Sequence, residues 1–186
     1  LSRSFSFVST KDVGSWLRGG SLPKNPVLVT FDDAYRECLE VATPILRRHG
    51  ARATFFVCSH HVEHRRLPWW DRAAYLIRNA TVEQASVTGF DLSLDLRDEA
   101  RREASRHRVL RAIKDRFGLD IEAFLLAVAE ACGVEWNAAL ERTLADSLVA
   151  TWDDVRALRD AGMDVQSHTR THRVLQTLSP QELADE

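Results

Sequence analysis

The sequence predicts an α/β protein whose core strands run parallel, and three observations carry that prediction. Two short runs rich in β-branched and aromatic residues, 27–31 and 54–58, are separated by residues at helical spacing. Each run is bounded by loop-forming residues and is apolar nearly throughout, which suits a strand covered on both faces, as in a parallel sheet. A third strand candidate, 163–167, is followed at once by histidine, as the first is followed by paired aspartates.

The elements follow in order. Residues 5–8 form a first regular segment, and Thr10 is the expected N-cap of a short helix that Gly19-Gly20 ends. Pro23 and Pro26 bracket a loop before the strand at 27–31, with Asp32 and Asp33 at its C-terminal end. Tyr35, Cys38, Leu39, Ala42, Ile45, Leu46 and His49 recur at three- and four-residue steps, giving an amphipathic helix that Pro44 should kink and Gly50 stop. With the strand at 54–58, residues 27–58 read as β-α-β with a right-handed crossover. Side chains at the C-terminal ends of such strands converge on one rim, where α/β enzymes keep their sites.

From 60 to 150 the order is less regular. Pro68 opens a helix over 69–78, Phe90, Leu92, Leu94 and Leu96 alternate with polar residues at strand period, and 98–117 and 120–132 read as helices. This stretch is taken as a mostly helical elaboration between two parts of one core, with 1–186 a single, partial domain. The core resumes where Thr151 caps a helix carrying Asp153 and Asp154 in its first turn, with Gly162 at its end. After the strand at 163–167, Ser179, Pro180 and Glu182 occupy the N-cap, first and third positions of a last helix. A sheet of three or four strands leaves open edges, so further strands are expected outside 1–186.

Composition narrows the function classes. At 186 residues and 45% hydrophobic content the chain can bury one substantial core. With 25 basic against 27 acidic residues, and no basic run interleaved with aromatics, nucleic acid is not an expected partner. Cys38, Cys58 and Cys132 are odd in number and widely spaced, which points to buried thiols and not to disulfides or a cysteine zinc cluster. No apolar run approaches the roughly 18 to 20 residues of a membrane span. The chain begins at Leu1 instead of Met, so its compartment is left open, as is its oligomeric state.

Adjacent carboxylates at a strand end repel unless a cation sits nearby, so Asp32-Asp33 either binds metal or is solvated at the start of a helix. His168 and His172, four apart, can face one ion from a single turn, with the hydroxyls of Thr169 and Thr171 placed to orient the imidazoles. Each element alone is a weak signal. Together they follow two buried strands and should emerge on the same rim, where two histidines and one aspartate would leave open coordination positions, the arrangement of a catalytic site. The remaining carboxylate would serve as base. A rival pair, His60 and His64, precedes Arg65-Arg66 and reads as a solvated loop, while Trp69-Trp70 beside Pro68 reads as core anchors more than as a sugar platform.

The run Val27-Leu-Val-Thr-Phe-Asp-Asp33, the segment Ala-Thr-Phe-Phe-Val at 53–57, and Gly162-Met-Asp-Val-Gln-Ser-His-Thr-Arg-Thr-His172 together resemble the NodB-homology polysaccharide deacetylases. The resemblance covers both flanks of the chain, and the middle is only loosely like members that carry a Pro-Trp-Trp-Asp segment. It implies a partial, distorted (β/α) barrel with a mostly helical insertion. It further implies Asp32 as catalytic base, Asp33, His168 and His172 as ligands of one divalent ion (zinc, or else cobalt, manganese or iron), and an N-acetylated sugar polymer or saccharide as substrate. Two departures stand out. Ala34 occupies a position that is usually glycine, which would start the next helix one residue sooner. The family's later motifs, with the arginine, the Pro-Tyr pair and the Leu-x-His that supply oxyanion stabilisation and the general acid, are expected beyond Glu186, so the chain by itself is expected to be inactive.

Three other readings compete. A hydrolase of small cyclic amides or ureides keeps the fold and the metal. A signalling receiver domain also pairs aspartates after its first strand, but it needs a phospho-accepting aspartate about two strands later, and none occurs between Gly50 and Val62. A non-catalytic fragment or interaction module is the third.

Overall fold

Val29, Thr30 and Phe31 are β-branched or aromatic, as are Thr54 to Val57. Both runs are strands in the computed structural model, which describes residues 4–33 and 35–186. The chain falls into two units, residues 1–66 with 145–172 and residues 67–144 with 173–186. In order it forms β1 (Ser6–Phe7), α1 (Thr10–Leu17), β2 (Pro26–Val27), β3 (Val29–Phe31), a π-helical turn (Cys38–Ala42) leading into α2 (Thr43–Arg48), β4 (Ala53–Val57) and α3 (Ser59–His64). There follow α4 (Trp69–Arg78), β5 (Gln84–Val87), β6 (Leu92–Asp95), α5 (Glu99–Asp115), α6 (Ile121–Ala131), α7 (Ala138–Leu148), α8 (Trp152–Asp160), β7 (Asp164–Ser167) and α9 (Pro180–Asp185). Among the described residues no helix is long and apolar enough to cross a membrane.

The first unit is built on a parallel sheet of order β3-β4-β7. Phe31 pairs with Phe55, Thr54 with Asp164 and Val57 with Ser167, so all three strands end at one edge. The pleat then sorts the side chains. Ala53 and Phe55 turn to a core shared with Cys38, Leu158 and Met163, where Phe31 stacks on Phe55 at 4.9 Å. Thr54, Phe56 and Cys58 alternate to the opposite face. The strand expected as one run from 27 to 31 changes partner at Leu28, since Pro26–Val27 pairs with β1 in a separate parallel ribbon.

Three local expectations are corrected. The N-cap of α1 is Ser9, one residue before Thr10: its hydroxyl accepts from the Asp12 N–H while the Asp12 carboxylate accepts from the Ser9 N–H. Pro44, which has no N–H to donate and crowds the carbonyl four residues back, produces a widened π turn where a simple kink was expected; the Thr43 N–H and hydroxyl both reach the Cys38 carbonyl, the hydroxyl at 2.7 Å. Residues 59–64 are helix and not solvated loop, because His61 and Val62 turn into the core. Ala34, expected to start its helix early, lies outside the described residues.

Arg65 ends α3 in the left-handed conformation, φ 52°. Its guanidinium donates to the Asp146 carboxylate at 2.9 Å and to the carbonyls of Ala145, Val149 and Ala150 at 3.0, 3.0 and 2.7 Å. The same segment receives the loop after β3, because Tyr35 bridges to Val149 and the Arg36 N–H donates to the Leu148 carbonyl at 2.8 Å.

The second unit has its own core, in which Trp69, Leu76, Leu94, Leu96, Val109 and Phe124 are buried together. Trp69 meets Trp70 edge to face at 5.2 Å, as core anchors would. Buried Arg72 pairs with Glu122 at 2.8 Å and lies 4.7 Å over the Trp136 ring. Two elements went unread in the sequence: β5, the antiparallel partner of β6, and α7, which Asn137 opens by accepting from the Leu140 N–H at 2.9 Å.

Candidate metal centre

The parallel register delivers three polar positions to one edge: Asp33 beyond β3, Cys58 beyond β4 and His168 beyond β7. The Val57 carbonyl accepts from the His168 N–H at 2.9 Å, continuing the ladder by one residue and fixing where the histidine leaves the sheet. The segment from His168 to His172 is a bent loop instead of a helical turn, and its Thr169 hydroxyl accepts from the backbone N–H of His172 at 3.1 Å. The hydroxyl thus orders the loop and not, as expected, an imidazole.

Asp33, His168 and His172 are brought together, each offering a ligand atom within 4.8 Å of the others. The two Nε2 atoms are 3.1 Å apart, and Asp33 Oδ1 lies 3.8 Å from His168 and 3.5 Å from His172. An ion with tetrahedral bonds of about 2.0 to 2.1 Å holds its ligand atoms about 3.3 to 3.4 Å apart. The observed separations straddle that edge, so the donor set fits a divalent ion in both chemistry and spacing. The side chains of Asp33, His168 and His172 keep 20%, 31% and 35% of their exposure, which leaves one face of the cluster open to solvent.

The electrostatics agree with a cation site. Burial holds the Asp33 carboxyl above the usual aspartate range, the two imidazoles pull it back, and the charge of Asp32 pushes it up again. Asp32 itself is exposed at the rim and stands outside the cluster. Asp33 and His172 both adopt positive φ, 73° and 56°, and Thr169 does so at 59°. Aspartate and histidine tolerate this region better than most residues, yet each such position costs on the order of 1 kcal/mol, and here they cluster on the two loops of the site.

The rings of His60 and His64 meet at a tilt, with centroids 4.5 Å apart, and lie outside the Asp33 cluster. Two neighbours of the site escaped the sequence reading. Cys58 is fully buried, with Sγ 3.3 Å from the His168 carbonyl oxygen and 3.9 Å from Asp33 Oδ1. Its signal was positional, since it too follows a core strand. His61, 5% exposed, lies beneath the histidine loop, whose Arg170 carbonyl accepts from the His60 N–H at 3.0 Å. Burial first, and then the neighbouring His60, lower its pKa to about 4.

Comparison with known proteins places this geometry. No curated protein matches the chain. Among solved structures, the Streptococcus pyogenes deacetylase PplD in complex with acetate is similar at 18% identity and a TM-score of 0.51, over 99% of this chain and 46% of that one. A deacetylase domain of BpsB from Bordetella bronchiseptica is similar at 15% identity and a TM-score of 0.40, over 89% of this chain and 39% of that one. The chain thus spans less than half the length of either. The first likeness supports the α/β fold with its parallel sheet, while the sequence profile of the polysaccharide deacetylases matches residues 19–186, both flanks and the middle included. By that match the chain belongs to the polysaccharide deacetylase family.

Proposed function

We propose that this protein is a divalent-metal-dependent hydrolase that removes N-acetyl groups from a sugar polymer or saccharide, cleaving a carbon–nitrogen bond that is not a peptide bond. The observation that carries the reading is the convergence of Asp33 Oδ1, His168 Nε2 and His172 Nε2 beside an exposed second carboxylate, in a chain of this family. Two imidazoles and one carboxylate suit zinc first, with cobalt, manganese or iron as alternatives. When bound, such an ion supplies Lewis-acid polarisation of an amide carbonyl and acidifies water.

The chain's own residues divide the remaining work. Asp33 and the two histidines hold and orient the ion. Asp32, on the neighbouring peptide and unencumbered at the rim, takes the proton from the attacking water at its carboxylate. Phe56, whose ring centroid is 6.0 Å from that of His168, shields one side of the imidazole.

Metal analysis of the purified chain, paired with acetate release from N-acetylglucosamine oligomers by the intact protein, tests the reading. Metal should be retained in the parent and in Asp32→Ala, and lost in Asp33→Ala/His168→Ala. Acetate release should collapse in Asp32→Ala. Full metal occupancy in the double variant would sink the site, and turnover of small cyclic amides in preference to the oligomers would move the substrate class.

A further inference from the structure

Cys58 directly follows β4, the middle strand of the sheet, while the residues proposed as metal ligands leave from the two strands on either side of it. Val57 and Cys58 together hold both peptide groups of His168. The Val57 carbonyl accepts its N–H at 2.9 Å, and Cys58 Sγ lies 3.3 Å from its carbonyl oxygen, inside the reach of a thiol donor. On its other flank the same sulfur stands 3.9 Å from Asp33 Oδ1, the oxygen that faces both imidazoles. The side chain has no exposed surface, so solvent cannot substitute for the thiol if it is removed.

Simple apolar filling does not account for this position. An apolar side chain here would take the thiol donor from the part-buried His168 carbonyl, which at 3.3 Å, against 3.9 Å to Asp33, is the nearer acceptor of the single S–H. Groups that orient ligands from behind commonly matter to metal affinity by about 10- to 100-fold.

We propose that Cys58 is a positioning residue of the metal centre: its single S–H donates to the His168 carbonyl while the sulfur packs beside the Asp33 carboxylate, so that ligands from two flanking strands meet at one point. The proposal rests on the assignment of Asp33, His168 and His172 as ligands. It gives the central strand a part in the site without making its thiol a ligand.

The test is zinc affinity of the chain, measured by chelator competition, in Cys58→Val, Cys58→Ser and Asp33→Ala, with the unfolding midpoint of each metal-free variant recorded alongside. Valine keeps apolar volume and removes the donor, so affinity should fall about 10- to 100-fold. Serine keeps a donor and should recover to within about threefold of the parent. The cobalt-loaded serine variant should also keep the parent's d–d absorption bands, which the valine variant should shift. If Cys58→Val does not fold, Cys58→Ala takes its place. Parent-like affinity in the valine or alanine variant, or equal losses with serine and valine, would overturn the role of Cys58 while leaving the ligand assignment standing. Undiminished affinity in Asp33→Ala would instead remove the site, and this proposal with it.

Discussion

Replacing His61 with glutamine should abolish a specific part of the protein's acid sensitivity. The imidazole is 5% exposed and its pKa falls from the ordinary 6.5 to about 4. Burial is the largest cause and the adjacent His60 the next; the Thr171 backbone favours the charged form, while His172 and Arg66 add to the lowering. Because the folded-state pKa is depressed, the unfolded chain takes up this proton first as pH falls. The penalty is therefore absent well above pH 6.5, grows below it, and is complete by about pH 4, where the gap amounts to about 3 kcal/mol. At pH 5 an unfolded histidine is almost wholly protonated and His61 in the folded chain mostly is not, so stability should drop by about 2 kcal/mol between pH 7 and pH 5 on this account alone. Urea unfolding of the metal-free chain at the two pH values, for parent and His61→Gln, isolates the His61 contribution, since every other group is common to both proteins. The parent should lose about 2 kcal/mol more than the variant. Equal losses, or a His61 ring resonance that titrates near 6.5, would refute the account.

Two further outcomes follow from the same unit. Arg65→Met should cost about 2 to 4 kcal/mol, because it removes the guanidinium that donates to the carbonyls of Ala145, Val149 and Ala150 and to the carboxylate of Asp146. The urea midpoint measures this, and a change below about 0.5 kcal/mol would show that the contacts are dispensable. Metal affinity should decline steeply as pH falls from 7 to 5, since both imidazoles must be neutral and the Asp33 carboxyl, held above the usual range by burial, must be ionised. Chelator competition across that window measures this, and a flat profile would count against Asp33, His168 and His172 as the ligand set.

How far the sequence discloses the protein depends on whether the signal is local. Asp98, Asp120, Thr151 and Ser179 cap the helices that follow them, and each accepts from a backbone N–H three residues on. The rim, too, was legible, because a buried strand ending in aspartate or histidine must present that residue at its end. Which of Asp32 and Asp33 turns toward the histidines was not. A single φ of 73° sends Asp33 toward the histidines, and nothing in two adjacent identical residues encodes which of them turns. The histidine pair at 60 and 64 misled for the opposite reason. Its charge pattern advertised solvent, while the burial that makes 59–64 a helix lies in His61 and Val62. Cys58 required knowledge of strand order, since a residue after the central strand can touch residues from both of its neighbours.

Arg65 also bears on what the middle of the chain is free to become. It is among the last residues before the second unit, and it grips the first residues after it, at Ala145, Asp146, Val149 and Ala150. The two ends of the intervening segment are therefore cinched together by a guanidinium that belongs to neither the ligand set nor the inserted core. Closing that neck makes the span from 67 to 144 a ring, and the entropic cost of a ring grows by only about 0.6 kcal/mol for each doubling of length. A longer or shorter surface loop within that span should therefore cost the neck itself little.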